Sequence, residues 1–148
     1  MLTETLKAIF ERDLNRVITE LKHYNSEGNI WRIAPGIANS AGNLVLHLIG
    51  NLNAYIGKEI GKTDFVRNRE LEFSQKDIAR TELVAQLEHT IITIKNSLNL
   101  LTEEDFKKKY PIVVLSETTS NEYFMVHLVS HLNYHLGQIN YHRRLLEG

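Results

Sequence analysis

Two histidines one helical turn apart, His131 and His135, are the residues of this sequence best suited to metal chemistry. They lie in the stretch VSHLNYHLGQINYHRR, which predicts a helix, and at about 100° per residue both fall on its apolar side. Two imidazoles at this spacing can direct nitrogens to one point about 2 Å from each, as a first-row transition metal requires. The alternative is that each forms hydrogen bonds in the core, because seven histidines in one chain make this spacing common by chance.

Two side chains seldom make a strong metal site, so a third ligand from another helix is expected. The candidates are His23, His47 and His89, and of these only His47 lies in a strongly apolar segment, LVLHLIGNL. Gly50 and Gly137 follow the histidines at mid-helix positions, where glycine costs about 1 kcal/mol relative to alanine. Close backbone approach, space for a ligand or simple helix packing would each explain these glycines.

Several other chemistries lack the residues they need. Leu132 follows the first histidine of HLNYH, where an H-E-x-x-H metalloprotease has its glutamate. A di-iron bundle needs Glu-x-x-His on two helices, and only Glu20 and His23 match, which favours a solvated helix edge for this pair. The chain has no G-x-S-x-G, P-loop or G-x-G-x-x-G motif, so serine hydrolysis, nucleotide hydrolysis and dinucleotide binding have no support.

Long amphipathic helices must position these histidines. Apolar residues recur at helical spacing in four stretches, and both prolines, Pro35 and Pro111, lie between stretches. The predicted helices cover about 3–24, 39–60, 81–101 and 120–146. Each apolar stripe needs partners to cover it, so the sequence predicts an all-α four-helix bundle, with residues 1–148 as one domain.

The connections between the predicted helices are long, at about 25–39, 61–80 and 102–119. Nearly twenty extended residues can span about 60 Å, so each connection could cross over the bundle. The last one contains YPIVVLSETTS, whose β-branched residues predict a short extended piece.

Composition limits the partners and the setting. Lys and Arg total 17 against 18 Asp and Glu, so the net charge of −1 favours neither nucleic acid nor an anionic membrane. The absence of cysteine excludes disulfides, thiolate metal sites and a cysteine nucleophile. No apolar run has the length of a signal peptide or a membrane span. A cytoplasmic protein is therefore expected.

The stretches HLVSHLNYHLGQINYHRRLL and GNLVLHLIGNLNAYIG, together with four long helices, resemble the DinB-like family of metal-binding four-helix bundles, which includes YfiT-like proteins. The family's mark is one histidine in the second helix and H-x-x-x-H-x-G-Q in the last. This sequence supplies His47, then His131 and His135, followed by Gly137 and Gln138. Many relatives have arginine before the Gly-Gln pair, where this chain has leucine.

The resemblance implies one divalent metal, with zinc or nickel favoured, on His47, His131 and His135, with water completing the coordination. It also implies crossover connections and a homodimer. Relatives include bacillithiol S-transferases and mycothiol-dependent maleylpyruvate isomerases, so we expect a metal-dependent transferase that activates a low-molecular-weight thiol for attack on a small electrophile. A chain without cysteine must take that thiol from outside. The family name reflects induction by DNA damage, which suggests a stress-related role and does not imply DNA binding.

Three more side chains are candidates to hold a ligand histidine or a bound water by hydrogen bonds. Gln138 and Asn51 each lie about one turn from a ligand histidine, and His127 lies one turn before His131. A packing or exposed role is equally open for each of them. His142 and the two arginines after it predict a polar helix end. The alternative functions are a non-catalytic bundle that binds metal or a small ligand and a metal-dependent hydrolase.

Overall fold

Six α-helices and no β-strand make up the computed structural model, which describes residues 1–148. The helices are α1 (Leu2–His23), α2 (Ala41–Leu52), α3 (Arg69–Ser74), α4 (Arg80–Leu98), α5 (Glu103–Lys107) and α6 (Asn121–Glu147). A short 3-10 helix, Glu27–Trp31, precedes α2, and a π-helical stretch, Asn53–Lys58, continues it. The predicted all-α class is confirmed. None of the helices combines the length and apolarity that crossing a bilayer requires.

The four long helices form the bundle, and its order in space differs from its order in the chain. Helix α1 packs against α4 and α6, and α2 packs against the same two helices. Helices α1 and α2 therefore face each other across the diagonal, and so do α4 and α6. The connections from α1 to α2 and from α4 to α6 each cross the bundle, which confirms the predicted crossover topology. A single cluster of 30 buried apolar residues joins the four helices.

Helix α2 is the most buried element, because every residue of Ala41–Leu52 is buried. The helix begins after Ser40, whose side chain accepts a hydrogen bond from the backbone N–H of Asn43 and so caps the first turn. The Asn43 amide then donates to the carbonyls of Glu72 and Gln75, each at 2.9 Å. These bonds hold α3 against the face of α2 that α4 and α6 leave uncovered.

The connection before α6 does not contain the extended piece that its β-branched residues predicted. Residues 111–119 form bends without a strand, and the only pairing is an isolated bridge between Lys109 and Ser120. A β-branched run needs a neighbouring strand to supply its hydrogen bonds, and this all-helical chain offers none. Ile112 and Val113 are consequently exposed.

The prediction of a polar helix end at His142 is wrong, because this histidine is buried. Its Nε2–H donates to the carbonyl of Arg32 at 2.8 Å, and its Nδ1 accepts from the hydroxyl of Tyr24. Burial lowers the pKa of His142. The crossing α1–α2 connection covers this end of α6. The apolar periodicity of α6 could not reveal this cover, because it comes from another part of the chain.

Glu20 also differs from the predicted solvated edge, whereas His23 is exposed as expected. The Glu20 carboxylate accepts hydrogen bonds from Asn140 and Arg143 of α6, both at 2.7 Å. Glu20 therefore joins α1 to α6, and the Glu20 and His23 side chains form no metal site.

Candidate metal centre

His47 of α2 and His131 and His135 of α6 meet between these two helices. The Nε2 atoms of His47 and His131 are 3.1 Å apart, and those of His131 and His135 are 3.2 Å apart. The three histidines each offer one nitrogen, and these nitrogens all lie within 4.8 Å of one another. The structure therefore brings together the three histidines that the motif nominates. The other candidates for the third ligand, His23 and His89, are exposed and lie outside this group.

The three nitrogens fit a divalent metal ion. Tetrahedral coordination with bonds of about 2.0–2.1 Å separates two nitrogens by about 3.3 Å, close to the 3.1 and 3.2 Å from His131 Nε2 to the other two Nε2 atoms. The outer nitrogens fix the tautomers, because an ionised carboxylate or an amide oxygen can only accept. His47 Nδ1–H donates to Glu72 Oε1 at 3.0 Å, and His135 Nδ1–H donates to Gln138 Oε1 at 2.7 Å. Both Nε2 lone pairs are thus left free for a metal, so the cluster can hold one.

Glu72 of α3 is a site residue that the sequence analysis missed. Its buried carboxylate contacts His47 and also accepts two hydrogen bonds from Arg67, at 2.8 and 3.1 Å. Carboxylates that accept from the outer nitrogen of a ligand histidine orient the ring and raise its basicity. The one signal in the sequence for this contact was the mid-helix Gly50. A Cβ at this position would overlap the Glu72 carboxylate. Gly50 therefore serves close approach, whereas a Cβ on Gly137 would meet only open space.

The electrostatics of the site favour the neutral forms of His131 and His135 and the charged form of Glu72. Burial, with a smaller contribution from the neighbouring histidines, lowers the pKa of His131 to about 4. Burial also lowers the pKa of His135. Burial by itself would raise the pKa of Glu72, but hydrogen bonds from His47 and Arg67 outweigh it and lower that pKa. Neutral imidazoles bind metal without first losing a proton, so the site is ready for a cation near neutral pH.

Two cavities adjoin the histidine cluster. The larger one, of about 500 Å³, borders His135 and Gln138. Much of its wall is apolar or aromatic, from Ile37, Leu44, Tyr134, Tyr141 and Leu145. The smaller cavity, of about 160 Å³, borders His47 and His131. Neither cavity is lined by an aspartate or a glutamate.

A family model described as "Protein of unknown function (DUF1572)" matches residues 2–148. The chain belongs to this DUF1572 family. The crystal structure of a DinB-like protein from Bacillus cereus ATCC 10987 superposes with a TM-score of 0.75 at 16% identity, over 97% of this chain and 92% of the other. This match confirms the resemblance to DinB-like proteins in fold. A search of the curated proteins found no match.

In this DUF1572 chain the three residues nominated around the ligands have different surroundings. Gln138 is largely exposed, yet its amide oxygen accepts from His135. Asn51 is buried, and its Oδ1 has no hydrogen-bond partner. His127 is half-buried and stacks on Phe124, with ring centroids 5.7 Å apart. Asn51 and His127 both line the smaller cavity and contact neither His131 nor His135 by a hydrogen bond.

Proposed function

We propose that this DUF1572 protein is a divalent-metal-dependent transferase that activates a low-molecular-weight thiol for attack on a small electrophile. The observation that carries the proposal is the convergence of three histidine Nε2 atoms beside a cavity of about 500 Å³. Three protein ligands leave a coordination position for an exogenous ligand, as catalytic metal sites do. A divalent cation bound there would lower the pKa of a thiol in that position.

The residues of the chain have separate tasks in this proposal. Glu72 and Gln138 hold two of the ligand rings, and the apolar walls of the larger cavity accept the electrophile and exclude water. The thiolate sulfur forms a bond to the electrophilic carbon, the leaving group departs with its bonding electron pair, and the thiol proton passes to solvent.

The cavity walls favour transfer over hydrolysis. A hydrolase needs a group that takes a proton from water, and carboxylates or histidines usually serve. No carboxylate lines either cavity, Glu72 is occupied by His47 and Arg67, and His142 uses both ring nitrogens in hydrogen bonds. Apart from the three ligand histidines, this leaves His127 of the smaller cavity as the one candidate base. A thiol loses its proton far more easily than water does, so it needs no such base beside the metal.

Thiol conjugation by the metal-loaded protein tests the proposal. We expect protein reconstituted with Zn²⁺ or Ni²⁺ to conjugate glutathione, bacillithiol or cysteine to 1-chloro-2,4-dinitrobenzene. His135→Ala should abolish both bound metal and conjugation, and His89→Ala, an exposed control on α4, should change neither. If the metal-loaded protein conjugates none of these thiols, the transferase proposal is overturned and a non-catalytic metal-binding bundle is left.

We also propose a homodimer, which the DinB-like resemblance implies. An apolar stripe runs along the outer face of α6, and its members Tyr123, Val126, Tyr134, Tyr141 and Leu145 are all exposed. In an antiparallel pair centred on Tyr134, residues 123 and 145 face each other, because each lies eleven positions from the centre. Sedimentation equilibrium should give twice the chain mass, and Tyr134→Lys should give the monomer; a wild-type monomer would overturn the dimer.

A further inference from the structure

The smaller cavity beside the histidine cluster is lined by an unusual set of polar groups. We name it the arginine cavity and define it by Asn51, Arg67, Arg69 and His127, which line it together with His47 and His131. Two arginines and three histidines face this space of about 160 Å³, and no aspartate or glutamate does. Arg67 is paired with Glu72, so Arg69 is the one lining residue with an uncompensated charge, and a divalent cation on the histidines would add positive potential.

The two arginines differ in how far their charges are already compensated. Arg67 forms an ion pair with Glu72 and lies over the Tyr55 ring, with its guanidinium carbon 5.4 Å from the ring centroid. Arg69, the first residue of α3, forms no ion pair. Arg69 is exposed and lines the arginine cavity, and its guanidinium forms no hydrogen bond within the protein, so its N–H donors are available. Guanidinium groups bind carboxylates through two parallel hydrogen bonds, so Arg69 suits an anionic guest.

Two residues that line the arginine cavity have buried polar atoms without hydrogen-bond partners. Asn51 is 94% buried, since only 6% of its surface is exposed, and its Oδ1 has no hydrogen-bond partner. His131 Nδ1 is also buried without a partner, and it must carry the proton when Nε2 binds a metal. Buried polar atoms are nearly always hydrogen-bonded, to protein or to bound molecules. Both residues line the arginine cavity, but these two atoms have almost no accessible surface, so a guest bonds to them only after the side chains turn toward it. His131 Nδ1–H could then donate to a carboxylate, whereas Asn51 Oδ1 can only accept and would need a bound water.

We propose that the arginine cavity binds the carboxylate of the thiol substrate and that Arg69 is its principal partner. This inference rests on the proposed function, because the sulfur of the same molecule would lie at the three-histidine site. The volume of the cavity equals about five waters at roughly 30 Å³ each, so it admits a compact group of that size. The larger apolar cavity on the His135 side is left for the electrophile.

Two matched thiols test the carboxylate assignment. The probes are 3-mercaptopropionate and its neutral methyl ester, titrated into Co²⁺-loaded protein while the thiolate-to-cobalt absorption band is followed. We expect the wild type to bind the acid roughly ten-fold or more tightly than the ester, because a charge-assisted hydrogen bond contributes at least that factor. Arg69→Gln should reduce the ratio of the two affinities to near one by weakening the binding of the acid alone. Arg69→Lys should retain part of the preference for the acid.

Controls separate this inference from the proposed function. Arg144→Gln removes an exposed cation near the end of α6, away from the arginine cavity, and should leave the ratio unchanged. Equal affinities for acid and ester in the wild type, or a preference that survives Arg69→Gln, would overturn the carboxylate assignment while thiol binding stands.

A different result would distinguish an anion site from a thiol site. If neither thiol produces the cobalt band, the thiol-transferase proposal fails, and propionate is then titrated calorimetrically into Zn²⁺-loaded protein. Propionate binding that Arg69→Gln abolishes would preserve an anion site in the arginine cavity and overturn its assignment to a thiol. No propionate binding would overturn the anion site as well.

Discussion

At the scale of single residues, the hydrogen bonds on the outer nitrogens organise the candidate metal centre as much as the ligands do. His47 and His135 each have the Nδ1–H occupied, by Glu72 and Gln138, so their Nε2 lone pairs face the centre. Arg67 in turn holds the Glu72 carboxylate. Because each group fixes the next, the loss of one partner should be measurable at the metal.

Glu72→Gln is the most direct test of this arrangement. The substitution removes the negative charge that supports His47 while keeping the size of the side chain, so Zn²⁺ affinity should fall roughly 10-fold. The measurement is a zinc titration against a competing chelator. Glu70→Gln, an exposed neighbour on α3, is the matched control and should bind zinc like the wild type. Equal affinities in the two variants would show that Glu72 does not support the metal site.

At the scale of secondary structure elements, α3 reaches the site only because α2 gives it room. Asn43 binds two carbonyls at the end of α3, and Gly50 leaves space for the Glu72 carboxylate one helical turn after His47. The short helix α3 has six residues and would not be stable alone, so its position depends on this contact with α2.

Gly50→Ala should therefore weaken metal binding because it displaces Glu72, and not because it changes helix α2. The new methyl group displaces the Glu72 carboxylate from His47, and we expect a loss of Zn²⁺ affinity similar to that of Glu72→Gln. The double variant Gly50→Ala/Glu72→Gln should bind Zn²⁺ no more weakly than either single variant, because both substitutions remove the same interaction. Gly137→Ala on α6, where the methyl group meets open space, should leave the affinity unchanged. Additive losses in the double variant would contradict this explanation.

At the scale of the whole molecule, buried neutral histidines tie folding stability to pH. His142 fastens the α1–α2 connection to α6, and burial lowers its pKa below the ordinary value of about 6.5. As pH falls below that value, His142 binds a proton in the unfolded chain, whereas in the folded chain it binds one only at lower pH. The free energy of unfolding therefore decreases as pH falls through the lowered pKa of the folded state, and the stabilisation is complete above about 6.5.

We expect the melting temperature of the metal-free protein to fall between about pH 6.5 and 4, where His131 also titrates. His142→Gln should make this decrease shallower, because the amide can replace the two hydrogen bonds without titrating. The same substitution at exposed His89 should keep the wild-type slope. Parallel melting curves for wild type and His142→Gln would show that His142 does not contribute to the pH dependence.

Patterns in the sequence were enough to predict the long helices and to nominate the three histidines. Apolar periodicity is a local property, so it identified the buried stripes of α1, α4 and α6, whereas α2 is buried on all sides. The H-x-x-x-H spacing placed two imidazoles on one face of α6. The third ligand, His47, came from an apolar segment and a family motif, and the structure brings it within 3.1 Å of His131.

Contacts between distant parts of the chain set which element covers each face, and the pattern within a helix does not reveal them. Helix α3 places Glu72 behind His47, Arg67 in the segment before α3 binds the Glu72 carboxylate, and the crossing connection buries His142. The packing also brings Asn51 and Arg69 to the same cavity and leaves Asn51 Oδ1 without a hydrogen-bond partner. The physical reason is that periodicity tells whether a residue is buried, whereas its partner comes from a distant part of the chain that the packing of the bundle selects.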